Sequence, residues 1–256
     1  MTKPPETLDG AALWANLRRL TDARIGLARS GASLATKPLL EFQLAHARAR
    51  DAVHATLDDA TLTAALAPLG LDVLRVASAV ADKAAYLMRP DLGRQLAADA
   101  ASILAPHKGA YDVVFVISDG LSALATQRHA APLLAEVIPA LQKSGWRVAP
   151  LVIVRHGRVA IGDAVANALG ATCAVVLIGE RPGLSAPDSM GAYVTWQPNA
   201  QTTDAGRNCI SNIRPAGIAL ADAAFKLTHL MAAMRAKGQS GVALKDLSDR
   251  LLLGDT

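Results

Sequence analysis

The chain has 256 residues, of which 52% are hydrophobic and 19% charged, a composition typical of a globular protein and not of a disordered one. Aromatic residues make up only 4%, which disfavours binding of single-stranded nucleic acid by base stacking. The net charge of +4 is spread along the chain, so we expect a solvated surface and no nucleic-acid partner. Two cysteines are too few for a secreted disulfide framework, and no apolar stretch has the length of a signal peptide or a membrane span. We therefore expect a cytoplasmic protein that makes no membrane contact.

Residues 9–105 are rich in Ala and Leu at helical spacing, and no segment among them competes as a strand. The first predicted helix carries Leu13, Leu17 and Leu20 on one face. Further helices are predicted at residues 38–57, 59–66, 82–88 and 90–104. A stretch that contains Pro and Gly, residues 106–109, ends this pattern. The sequence therefore predicts a helical N-terminal region over residues 1–108.

From residue 109 onwards, short apolar runs rich in β-branched residues alternate with segments of helical length. The runs are residues 112–118, 148–154 and 173–178, with a fourth candidate at 191–196. The helices are expected at residues 121–143, 162–169 and 218–237. Continuous apolar runs of this kind are typical of parallel strands that helices cover on both faces. Residues 109–256 are therefore predicted to form an α/β domain with a mostly parallel sheet.

The ends of the three predicted buried strands are candidates for a binding site, because ligands of parallel α/β sheets bind at the carboxyl ends of the strands. These ends are residues 118–120, 155–158 and 179–183, and each combines Gly with polar or charged residues. In the third, Gly179-Glu180-Arg181-Pro182-Gly183, a charged pair follows the strand at once and two glycines allow close backbone approach. This loop is predicted to bind a ligand. The alternative is a simple turn with a local ion pair.

Two further segments are dense in polar groups. Residues 208–217 precede the last helix and contain Cys209, which taken alone is more often a small buried residue than a reactive thiol. Cys173 lies within an apolar run and is expected in the core. Residues 21–31 interrupt the helical pattern and form either a surface linker or an arm that docks on a partner through Arg24 and Arg29.

Several catalytic motifs are absent from the sequence: the phosphate-binding P-loop, the dinucleotide-binding G-x-G-x-x-G, HExxH and CxxC. The six histidines lack the spacing of metal ligands. The segment from Asp119 to Ser122 lacks the G-x-S-x-G frame of a nucleophile elbow. We expect Asp119-Gly120 to form the turn from strand to helix and a serine to cap the helix. No catalytic residue and no metal ligand is predicted.

Four blocks of this sequence resemble the small subunit (light chain) family of ethanolamine ammonia-lyase. They are TDARIGLARSG at 21–31, HARARDAV at 46–53, LIGERPGL at 177–184 and NCISNI at 208–213. The resemblance runs in order over nearly the whole chain. It implies a helical N-terminal part followed by a Rossmann-like domain, and adenosylcobalamin held between this chain and a large catalytic subunit. The cofactor contacts implied are Val159, Glu180 and Cys209.

The resemblance also implies a role. The chain would be necessary but inactive alone, in a hetero-oligomer (a heterododecamer) that converts ethanolamine to acetaldehyde and ammonia. The family context is compatible with a setting inside a bacterial microcompartment. The chain lacks the D-x-H-x-x-G pattern by which some cobalamin proteins replace the cofactor's own base, so the implied binding mode is base-on. Two alternatives remain: a stand-alone α/β enzyme that binds a phosphate or nucleotide at the strand ends, and a purely structural assembly partner.

Overall fold

The computed structural model of the protein describes residues 10–246 and residue 248. Its helices are α1 (Gly10–Leu17), α2 (Thr36–His54), α3 (Asp59–Leu66), α4 (Lys83–Met88), α5 (Ala100–Leu104), α6 (Ala123–Lys143), α7 (Ile161–Leu169) and α8 (Leu220–Lys237). Its strands are β1 (Arg29–Ser30), β2 (Ser33–Leu34), β3 (Val73–Ala77), β4 (Tyr111–Ser118), β5 (Leu151–Arg155), β6 (Ala171–Gly179), β7 (Met190–Trp196) and β8 (Arg207–Ile213). The result is an α/β fold around one large mixed sheet, with a short helix and a hairpin at the N-terminal end.

The hairpin of β1 and β2 and the long helix α2 lie at the surface, and α2 buries only Ala45 and Ala52. The guanidinium of Arg24 lies 5.9 Å from the ring centroid of Phe42 on α2, which ties residues 21–31 to that helix. Arg29 is exposed on β1. Whether this arm docks on a partner stays a prediction.

The central sheet has the order β3-β5-β4-β6-β7-β8. Strands β3, β5, β4 and β6 pair in parallel, whereas β7 pairs antiparallel with β6 and with β8. The sequence prediction of a mostly parallel sheet is therefore confirmed, but the last two strands reverse. The physical reason is the length of the loops that precede β7 and β8, since a parallel crossover needs a dozen or more residues and usually a helix.

Strand β3 corrects the expectation that residues 9–105 contain no strand. Residues Val73–Ala77 pair with β5, and all of them are partly or fully buried except Arg75 in the middle, which is exposed. An edge strand of this kind carries less apolar character than the central ones. The boundary predicted between a helical region (residues 1–108) and an α/β domain (residues 109–256) stays a prediction. Strand β3 lies on the N-terminal side of that boundary but pairs within the large sheet.

The predicted helix at 90–104 is also wrong in part. A 3₁₀ turn, Leu92–Arg94, and the short helix α5 replace it, and Leu96 between them forms a bridge to Ser78. The break lies where Gln95 and Ala97 form backbone hydrogen bonds with Ala79 and Ala77 and not within a helix. At Gly93 a Cβ would lie 2.7 Å from the side chain of Arg158. The chain therefore passes close to the loop that follows β5.

Helices cover the sheet on both sides. Alternate residues of β4 face opposite layers: Phe115 packs in the layer of α3, α6 and α8, and Val116 in the layer of α5 and α7. Because α6 follows β4 on one face and α7 follows β5 on the other, the chain leaves the carboxyl ends of these neighbouring strands in opposite directions. Such a divergence opens a crevice, the usual place for a ligand in α/β sheets.

Candidate functional site

Glu180 follows β6 directly, and three donors hold its carboxylate. The hydroxyl of Ser189 donates to Oε2 at 2.5 Å, and the hydroxyl of Ser211 donates to Oε1 at 2.6 Å. The backbone N–H of Asn212 donates to Oε2 at 3.1 Å. Asn212 has a φ of 60°, a left-handed conformation that Asn tolerates better than most residues. The charged oxygens are therefore oriented by β8 and by the start of β7.

A glycine makes room for this carboxylate. A Cβ at Gly191 would lie 2.9 Å from Oε1 of Glu180 and 3.0 Å from the ring of Tyr193. The alternative interpretation of this loop was a turn with a local ion pair between Glu180 and Arg181. No such pair forms among the described residues, and the Arg181 side chain is exposed. Glu180 therefore belongs to a network between strands and not to an isolated turn.

Val159 and Cys209 line one pocket of about 290 Å³ at this edge of the sheet. Val159 comes from the turn between β5 and α7, and Cys209 from β8, opposite Tyr193 of β7. The lining is completed by Pro90, Arg94, Arg158, Ala160, Tyr193, Asp204 and Arg207. Two residues fifty positions apart in the sequence thus line the same cavity, while their role as cofactor contacts stays a prediction.

The groups of the pocket influence one another. Neighbouring groups partly remove the Cys209 thiol from water and so raise its pKa, although the residue stays exposed; the nearby Tyr193 hydroxyl lowers this pKa, and the charge of Glu180 raises it, with a net rise. Burial also raises the pKa of Tyr193, and Cys209 and Glu180 add to that rise. Both groups therefore stay neutral near pH 7. Glu180 does not line the pocket, but its charge reaches Cys209 and Tyr193.

Sequence reasoning missed several features of this site. Cys209 is exposed, whereas a buried residue was the commoner expectation. Tyr193 and Arg207 carried no motif, and only the alternating pattern of an antiparallel strand could have placed Tyr193 beside Cys209. Cys173, in contrast, is fully buried in the core, as predicted.

Arg207 anchors the floor of the pocket. Its Nη1 and Nη2 donate to the two carboxylate oxygens of Asp163 at 2.7 and 2.6 Å, and Nη1 also donates to Thr195 at 2.9 Å. Its Nε lies 3.5 Å from Asp204. The arginine side chain is only 3% exposed, so these carboxylates compensate a buried charge.

The other two strand ends form a separate hydrogen-bonded cluster. Oδ1 of Asp119 accepts from the backbone N–H of Gly120 and of His156, and Oδ2 lies 3.0 Å from Nδ1 of His156. Ser122 caps α6, where its hydroxyl accepts from the N–H of Ala125. The turn and the cap predicted from the sequence are therefore confirmed, and the buried hydroxyl of Ser122 is bonded to the Pro187 carbonyl.

Over residues 10–246 and 248, no group of three or more His, Cys, Asp or Glu side chains could hold a metal ion. No helix within the same residues is long and apolar enough to cross a membrane. The described residues form an α/β protein with a pocket where the antiparallel edge of a mixed sheet meets the loop after β5.

A comparison with known proteins then identifies the family. The family model of the ethanolamine ammonia-lyase light chain (EutC) matches residues 11–245. The ethanolamine ammonia-lyase small subunit of Ralstonia nicotianae is 52% identical over 244 residues, which are 94% of this chain and 90% of the relative. The small subunits of Azotobacter vinelandii (52% over 237 residues, 91% and 88%) and Xanthomonas campestris pv. campestris (51% over 245 residues, 94% and 90%) are similar. The chain belongs to the ethanolamine ammonia-lyase small-subunit family, and so to the subunits of a carbon–nitrogen lyase.

Proposed function

We propose that this chain holds adenosylcobalamin against a large catalytic subunit, in an enzyme that converts ethanolamine to acetaldehyde and ammonia. The relatives carry the name small subunit, which supports a larger partner. The observation that carries the proposal is the shared pocket of Val159 and Cys209, with the fixed carboxylate of Glu180 beside it. These are the three residues that the family resemblance implies as cofactor contacts.

The chemistry of this pocket fits a corrin cofactor. The rim of a corrin ring carries amide side chains, which need hydrogen-bond acceptors as well as donors at close range. Glu180 offers oriented carboxylate oxygens, and the neutral Cys209 thiol and Tyr193 hydroxyl offer weak and strong donors. Val159 provides apolar contact. A volume of about 290 Å³ accommodates only a portion of so large a ligand, which fits half of a site at an interface.

The lining also bears on the mode of binding. No histidine is among the residues that line this pocket. Together with the absence of a D-x-H-x-x-G pattern, this favours base-on binding, in which the cofactor's own base stays on cobalt. When bound, the cofactor supplies the radical chemistry, while the protein supplies orientation and electrostatics.

The part of this chain in the reaction is then positioning and shielding. Glu180 accepts hydrogen bonds from amide groups at the cofactor's periphery. The turn that contains Val159 and the side chain of Cys209 cover one side of the cofactor, which keeps water away from reactive intermediates. No residue of the described pocket is assigned as substrate base, so the chemical steps belong to the partner. We extend the proposal to a heterododecamer that works in the cytoplasm, with a microcompartment as the candidate setting.

The test uses the complex that forms when this chain is co-expressed with a large subunit. Glu180→Gln removes the charge and keeps the shape, and Glu136→Gln, an exposed position on α6, is the matched control. Loss of a charged hydrogen bond predicts cobalamin affinity lower by about tenfold or more for Glu180→Gln. Glu136→Gln should bind like the unmodified complex, as measured by equilibrium dialysis.

The alternatives give different results in the same experiment. Ammonia release by this chain alone would support a stand-alone enzyme, and full release by the large subunit alone would contradict a necessary small subunit. A structural partner without cofactor contact predicts equal cobalamin affinity for the Glu180 and Glu136 variants. Sedimentation of the complex tests the twelve-chain assembly.

A further inference from the structure

Three arginines line the pocket of Val159 and Cys209, and they differ in how their charges are compensated. Arg207 is paired with Asp163 and Asp204. Arg94 is exposed and forms no side-chain hydrogen bond or ion pair with the described residues. Arg158 donates from Nη2 to the carbonyl of Tyr86 but has no carboxylate partner among them.

Arg158 is also held in place without satisfying all of its donors. Its guanidinium carbon lies 4.0 Å from the ring centroid of Tyr86, and Gly93 leaves space for its stem. Its Nε is buried and has no hydrogen-bond acceptor in the described part of the chain. A buried donor without an acceptor is costly, so this guanidinium is a rigid cation with unused hydrogen-bonding capacity.

The remaining groups of the lining cancel these two charges only in part, because Asp163 already pairs with Arg207 and Asp204 is left as one further carboxylate. Asp204 lies beside Arg207, and Cys209 and Tyr193 are neutral near pH 7. The pocket therefore has two arginines that form no ion pair with a carboxylate among the described residues. Guanidinium groups bind phosphate oxygens through paired N–H donors, and they are preferred for this purpose over lysine.

We propose that Arg94 and Arg158 bind the phosphodiester of the cofactor's nucleotide tail. This inference rests on the proposed function, since it assigns a part of the same cofactor to a part of the same pocket. A cobalamin carries one anionic phosphodiester in that tail, while the side chains of its ring are neutral amides. In this arrangement the two arginines bind the anionic phosphodiester, and Glu180 accepts hydrogen bonds from the neutral amides of the ring.

The experiment compares two ligands that differ in the phosphodiester. Cobalamin contains it, and cobinamide lacks the nucleotide tail altogether. Arg94→Gln is the principal variant, because exposed Arg94 has no structural partner to lose. Arg89→Gln is the matched control, since Arg89 lies nearby but is paired with Asp91 outside the pocket. Affinities are measured by equilibrium dialysis on the complex with the large subunit.

Arg94→Gln should weaken cobalamin binding by about tenfold, the effect of one charged hydrogen bond, and leave cobinamide binding within about twofold. Arg89→Gln should change neither. A second measurement uses inorganic phosphate as competitor, with cobalamin held at the same fraction of saturation for each variant: phosphate should displace cobalamin from the unmodified complex, and about tenfold more phosphate should be needed with Arg94→Gln.

Two results would overturn the inference: equal weakening of both ligands by Arg94→Gln, or no weakening of cobalamin. Phosphate competition that is unchanged by Arg94→Gln would indicate binding elsewhere and also count against it. In each case the proposed function stands if Glu180→Gln still weakens both ligands. If Glu180→Gln affects neither, the proposed function fails together with the inference.

Discussion

The two sides of the sheet have different character. In its parallel part, β4 is buried continuously from Val113 to Ser118, and β6 is buried at every position but Thr172. In its antiparallel part, β8 has buried residues such as Ile210 separated by partly or fully exposed ones such as Cys209. The central parallel strands, which helices cover on both faces, build the core, while β8 at the antiparallel edge exposes polar groups. Under the function proposed above, stability and cofactor binding depend on different parts of one sheet.

The sharpest test of this contrast is Phe115→Ala. Phe115 is fully buried on β4, and removal of a buried aromatic side chain lowers the free energy of unfolding by about 3–5 kcal/mol. Phe225→Ala, at a half-exposed position of α8, is the control and should cost about 1 kcal/mol or less. Denaturation in urea measures both. Equal losses would mean that β4 is not the core that its burial indicates.

Asp163→Asn tests whether the ion pair of Arg207 and Asp163, at the antiparallel edge of the sheet, stabilises the fold by an amount comparable to Phe115. The change removes the charge of Asp163 that compensates Arg207, and breaking a buried ion pair typically costs about 3–5 kcal/mol. Asp204 and the new side-chain amide still interact with Arg207, so the loss of stability is smaller than for a fully broken pair. We expect a loss of about 2–3 kcal/mol in the same denaturation experiment. The control is Asp91→Asn, whose pair with Arg89 is exposed, and it should leave the urea midpoint nearly unchanged. A midpoint for Asp163→Asn that matches this control would contradict the role of Arg207.

Ser189→Ala has a smaller expected effect on stability. The buried hydroxyl of Ser189 donates to Glu180, and loss of such a bond costs about 1–2 kcal/mol. Ser102→Ala, whose exposed hydroxyl bonds within its own helical turn, serves as the control. Cobalamin affinity of the complex should fall for Ser189→Ala only, because only there does the Glu180 carboxylate lose a fixed orientation. If Ser189→Ala leaves the cobalamin affinity unchanged, the hydrogen bond from Ser189 is not needed for Glu180 to bind the cofactor.

The smallest effect is a pH profile. Partial desolvation chiefly raises the pKa of the exposed Cys209 thiol and the Glu180 charge contributes to the rise, so Glu180→Gln should lower that pKa and increase the thiolate fraction. Alkylation of Cys209 by iodoacetamide should then become faster at a given pH below the thiol pKa, with the profile moved to lower pH. Buried Cys173 is an internal reference that stays unreactive in the folded protein. A pH profile identical to that of Glu136→Gln would show that the charge of Glu180 does not affect the pKa of Cys209.

Local patterns predicted much of the fold. Helix α3 has the predicted bounds, since Asp58 caps it and Pro68 and Gly70 follow its end. The parallel strands β4 and β6 were recognised because burial on both faces leaves an uninterrupted apolar run. Strands β3 and β8 escaped recognition because polar residues interrupt both, and a half-covered strand resembles a loop in sequence.

For the site, family resemblance supplied residue names, and the physical pattern of the sequence supplied only strand ends. The sequence by itself determined the buried strands, most helices and the loop at Glu180, because these depend on neighbouring residues and on the period of apolar side chains. Only the tertiary structure decided that β7 and β8 run antiparallel, that Tyr193 faces Cys209, and that Val159 shares their pocket. The same holds for the unpaired arginines, because whether a charge finds a partner depends on which distant segments the sheet brings together.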